Sequence, residues 1–102
     1  MRILLALVLL AAGCGGAPAW PKTAGDTTCR EWTAEMTGAQ RSALGAAMLL
    51  ALRANDGGTI RPPEALLNAF ATSVGDVCAS TPDSKVSAVG ATIYGLSQDL
   101  KP

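Results

Sequence analysis

The feature that most limits what this chain can fold into lies at its start, an unbroken apolar run from Ile3 to Ala12 behind the single charge of Arg2. Ten residues span about 15 Å as a helix, half of a hydrocarbon core of about 30 Å, so the run is too short to stay across a bilayer. One positive charge, a short apolar stretch and then the small residues Ala11, Ala12 and Gly13 describe an export signal that is removed on maturation. Residues 1–13 hold 11 of the chain's apolar residues, so the high overall apolar content of 49% belongs partly to a segment outside the fold. What remains is one small domain, near the size at which a hydrophobic core alone is marginal.

The residue after Gly13 is Cys14. The run, the small residues and this cysteine together resemble the lipobox of bacterial lipoproteins, although Ala11 stands where that family prefers leucine. The resemblance implies cleavage between Gly13 and Cys14, a diacylglycerol on the Cys14 thiol, and a domain held at a membrane on its extracytoplasmic side. Two acyl chains anchor firmly, because each buried CH₂ contributes about 0.8 kcal/mol and one chain alone is marginal. The competing reading is an ordinary signal cut near Ala17 or Ala19, which would discard Cys14. Residues 14–25 then form a tether: GGAPAWPKTAG from Gly15 has turn-forming and small residues but no periodicity. Eleven residues reach at most about 36 Å. Trp20 within the tether either seats at a lipid interface or covers the domain surface.

The domain, residues 26–102, carries helix punctuation throughout. Thr28 with Glu31, and Thr37 with Gln40, fit capping boxes that open a short helix to about Met36 and a long one to about Ala54. Asn55-Asp56-Gly57-Gly58 stops the second. Pro62-Pro63-Glu64 opens a third, striped by Leu66, Leu67, Phe70, Val74, Val77 and Cys78. Thr81-Pro82-Asp83 opens a fourth, with Val86, Val89, Ile93 and Leu96 at helical steps. No sustained period-two pattern competes, so the expected fold is all-α, with one short helix and three longer ones. Gly45, Gly75, Gly90 and Gly95 fall inside these helices, where small size favours close helix approach or marks frayed ends.

With Cys14 acylated, Cys29 and Cys78 are left to pair in the oxidising space outside the membrane. Their disulfide would tie the start of the first helix to the end of the third. The alternative is two free thiols, outside any C-x-x-C motif.

The residues offer little for catalysis. No histidine is present, which removes the commonest general base and zinc ligand. Eight basic residues balance eight acidic ones, leaving no basic patch that would read as a nucleic-acid surface. Glu31 and Glu35 lie one helical turn apart, a spacing more consistent with two solvated acids than with an acid–base pair. Trp32 reads as an inward apolar anchor, or alternatively as a partner-binding hot spot. The sequence calls for no metal and no cofactor.

Thr28-Cys29-Arg30-Glu31-Trp32, the long helix, Cys78, and Pro82 before an apolar helix are similar to the HdeA/HdeB acid-stress chaperones over residues 26–98. That resemblance implies a helical fold stapled by Cys29–Cys78, and a homodimer that low pH loosens to expose apolar surface for unfolded clients. Two functional readings follow. The first is a non-enzymatic, lipid-anchored interaction module with an envelope partner, a class that includes prophage lipoproteins blocking superinfection and accessory envelope proteins. The second is an acid-activated holdase.

Overall fold

A computed structural model describes residues 19–102. The expected signal at residues 1–13, the expected cleavage between Gly13 and Cys14 and the expected lipid attachment at Cys14 lie outside the described residues. Within them the fold is all-helical: α1 (Cys29–Ala34), α2 (Gly38–Asn55), α3 (Glu64–Cys78) and α4 (Val86–Leu96), with 3₁₀ turns at Ala24–Asp26 and Gln98–Leu100. None of these helices is long and apolar enough to cross a membrane.

Both capping boxes form. Thr28 Oγ1 accepts from the Glu31 N–H at 3.2 Å while the Thr28 N–H donates to Glu31 Oε1 at 2.9 Å. Thr37 and Gln40 repeat the exchange at 3.1 and 2.8 Å. Each pair satisfies two of the backbone groups that a helix start leaves open. α1 ends at Ala34, two residues short of Met36, which is nevertheless buried. α2 closes on Gly57 at φ +86°, a backbone conformation that glycine adopts without strain, and the Gly58 N–H returns to the Arg53 carbonyl at 2.8 Å.

The fourth helix begins later than its proline suggests. Residues 81–85 are occupied by long-range pairing: Cys29 N–H donates to the Ser84 carbonyl and Val86 N–H to the Thr27 carbonyl, both at 2.8 Å, and Arg30 N–H to Pro82 at 3.0 Å. Thr28 and Lys85 thus form an isolated antiparallel bridge, and α4 starts only at Val86.

Beside this bridge Cys29 and Cys78 form a disulfide with their Cα atoms 4.8 Å apart, joining the start of α1 to the end of α3. Both cysteines are buried, within a core that also takes Trp32, Leu49, Leu67, Phe70, Val74, Val86 and Tyr94. α3 is the central element, packed against α1, α2 and α4. Its crossing with α2 is close because Gly45 faces Ala71, where a Cβ on Gly45 would lie 2.8 Å from the Ala71 Cβ. Gly90 likewise leaves room for Met48 and Phe70. Gly95 meets nothing within 4 Å and has no such packing role.

Two residues of the expected stripes face outward instead. Val77 is 41% and Leu96 84% exposed, Leu96 being the last residue of α4. Trp20 is half-buried against the core, its indole N–H donating to Thr27 Oγ1 at 2.8 Å. The Thr27 hydroxyl in turn donates to the Thr23 carbonyl at 2.7 Å, which satisfies a fully buried side chain. The chain immediately after residue 18 is therefore laid on the domain. At the other end, Arg53 holds the Leu100 carbonyl at 2.8 Å, and the Tyr94 hydroxyl donates to Asp56. Burial, then that hydrogen bond, raises the Tyr94 pKa above its ordinary value.

Candidate functional site

The residues singled out in the sequence are dispersed by the fold into separate roles. Cys29 and Cys78 are the staple. Glu31 is committed: it accepts from Lys22 and from the Thr28 N–H, and these two bonds hold its carboxyl below the ordinary value of 4.5. Glu35 is the exposed C-cap residue of α1 and shares no cavity with it. Among the described residues no three His, Cys, Asp or Glu side chains converge as a metal site would require.

Trp32 is 2% exposed and belongs to the core, as an inward anchor should. Its burial is nonetheless incomplete at one point. Between α2 and α3 runs a groove of about 510 Å³, lined by Trp32, Arg41, Ser42, Asn68, Thr72 and Gly75. A Cβ on Gly75 would lie 3.3 Å from Trp32 Nε1, so the missing side chain leaves the indole N–H edge facing the groove.

Arg41 frames one end. Its Nε donates to the Trp32 carbonyl and its Nη2 to the Met36 carbonyl, both at 2.8 Å, so it clamps the frayed end of α1 to the start of α2. The Trp32 carbonyl is one of the groups the end of α1 leaves without an intrahelical partner, and Met36 lies just beyond that end. The three ion pairs among the described residues are Lys22–Glu31, Arg30–Asp83 and Arg61–Glu64, so the Arg41 guanidinium has no carboxylate partner there.

Two residues of this groove stand out in the sequence by themselves, Trp32 and the helix glycine Gly75. Arg41, Ser42, Asn68 and Thr72 carried no signal, because each reads as an ordinary solvated position until α2 and α3 are brought together. A second depression, of about 270 Å³, is a mainly apolar slot between Trp20 and the alanine-rich face of α2.

Comparisons with protein-family models, with curated proteins and with solved structures found no match for this chain.

Proposed function

We propose that this chain is a bacterial-type lipoprotein whose signal is cut before Cys14 and whose stapled helical domain serves as a small, non-enzymatic binding module at a membrane surface. The observation that carries the reading is the sequence Ile3–Cys14, a short apolar run ending in small residues and a cysteine. The described chain supports it in two ways. Trp20, six residues after Cys14, is packed on the domain, so a lipid at Cys14 would be held within about 22 Å of that residue. The chain also carries a buried disulfide, which persists in the oxidising space outside a membrane. An accessory envelope role or a prophage-type exclusion role falls within this class. The test is palmitate labelling in a bacterial host: the wild type should label in the membrane fraction and Cys14→Ala should not. An unlabelled wild type refutes the proposal.

A second reading, an acid-activated holdase of the HdeA kind, is favoured by the bridge between the ends of α1 and α3 and by Glu31, whose ionised form the fold prefers. Protonating Glu31 weakens the contact that holds residues 22–31 on the domain. In this reading the purified protein suppresses aggregation of a model client at about pH 2–3. No suppression at excess protein removes it.

A further inference from the structure

We infer that the groove between α2 and α3 is a binding site for a small organic carboxylate, received by the indole N–H of Trp32 and the guanidinium of Arg41. The inference deepens the reading of the domain as a binding module and is independent of whether Cys14 carries lipid.

Four observations converge. Trp32 is 98% buried by its 2% exposure, yet among the described residues no acceptor lies in hydrogen-bonding range of Nε1, whereas the other indole, Trp20, is bonded to Thr27. The body of the indole is buried while its N–H edge opens onto the space that Gly75 leaves, so the N–H is reached from the groove. Arg41 spends Nε and Nη2 on backbone carbonyls, so Nη1 remains for a ligand and the whole positive charge is unneutralised by any described carboxylate. Gly38, the first residue of α2, also lines the groove, and an 18-residue helix presents partial positive charge and free N–H groups at that end. Finally, Ser42, Asn68 and Thr72 place short uncharged donors along the walls and no acidic side chain lines them. The site therefore offers an excess of donors and one unpaired cation, which is complementary to an acceptor-only anion with one oxygen for the indole N–H and one for Arg41 Nη1. The volume, about 510 Å³, is within the range of small-molecule sites.

Two indole N–H groups give a direct readout. The full protein, labelled with ¹⁵N and held in detergent micelles, is titrated with N-acetylalanine and, separately, with its neutral amide, Trp20→Phe serving to assign the two indole signals. The expected result is a saturable shift of the Trp32 signal with the acid, at a Kd of ~1 mM, with the Trp20 signal unmoved and the amide without effect. Gly75→Ala, which sets a methyl group over Nε1, should weaken binding about tenfold, and the exposed, shape-conserving Thr72→Val about threefold. Thr72→Val keeps the test open should Gly75→Ala fold poorly. No saturable Trp32 shift, an equal shift with the amide, or unchanged affinity in Thr72→Val overturns the inference. A negative titration of a protein that labels with palmitate removes this site alone and leaves the anchored-module reading standing.

Discussion

Replacing Cys29 and Cys78 together by alanine should cost the domain about 4 kcal/mol. The bridge joins residues 49 apart in sequence, and in the chain-entropy description a loop of that length restricts the unfolded chain by about 14 cal/mol/K, or about 4 kcal/mol at 25 °C. A domain of this size has a total stability of roughly 4–12 kcal/mol, so the staple is a large fraction of the whole. At about 4–8 °C per kcal/mol the melting temperature should fall by roughly 15–30 °C. The assay is urea unfolding followed by tryptophan fluorescence, comparing the oxidised wild type, the wild type in reductant and the double variant. The reduced wild type and the variant should lie within about 1 kcal/mol of each other, since entropy of the unfolded chain is what both lose. A loss below about 1 kcal/mol in both would refute the argument that this small core depends on its cross-link.

The remaining predictions concern contacts and charges. Gly45→Val should destabilise by about 1–3 kcal/mol, because the added Cβ meets both the Cβ and the backbone Cα of Ala71 and must push α2 from α3; an unchanged thermal midpoint contradicts that close approach. Thr28→Ala should cost about 1 kcal/mol through loss of the α1 capping box, measured as a shift in urea midpoint, and no shift would mean the box contributes nothing. Glu31, held below its ordinary pKa by Lys22 and then by the Thr28 N–H, contributes stability that is present above pH 4.5 and is lost as pH falls through its lowered folded value. Urea midpoints should therefore decline on acidification below about pH 4.5, and Glu31→Gln should flatten that decline. A Glu31→Gln protein with an unaltered pH profile would show that another group sets it.

The helix starts were legible because they are local chemistry. Thr28 with Glu31 and Thr37 with Gln40 satisfy orphan N–H groups three residues away, and that need does not depend on the rest of the fold. The start of α4 was misplaced for the opposite reason. Thr81-Pro82-Asp83 has the composition of a helix opening, but the carbonyls of Pro82 and Ser84 are taken by Arg30 and Cys29, more than fifty residues back in the chain. Periodicity likewise located the core faces of α3 and α4 while overrunning their ends, where Val77 and Leu96 turn to solvent. The groove was the least visible feature. It depends on a glycine being opposite a tryptophan and on polar residues of two helices meeting across it, and single-helix patterning treats Ser42, Asn68 and Thr72 only as a solvated side.

The most direct test of the anchored-module account is the intact mass of the protein extracted from the membranes of cells that express it. The account predicts a chain beginning at Cys14, heavier by the diacylglycerol on its thiol, and two hydrogens lighter than the free-thiol form because Cys29 and Cys78 are joined. A soluble, lipid-free chain starting near Ala17 or Ala19, or an unprocessed chain starting at Met1, would contradict it.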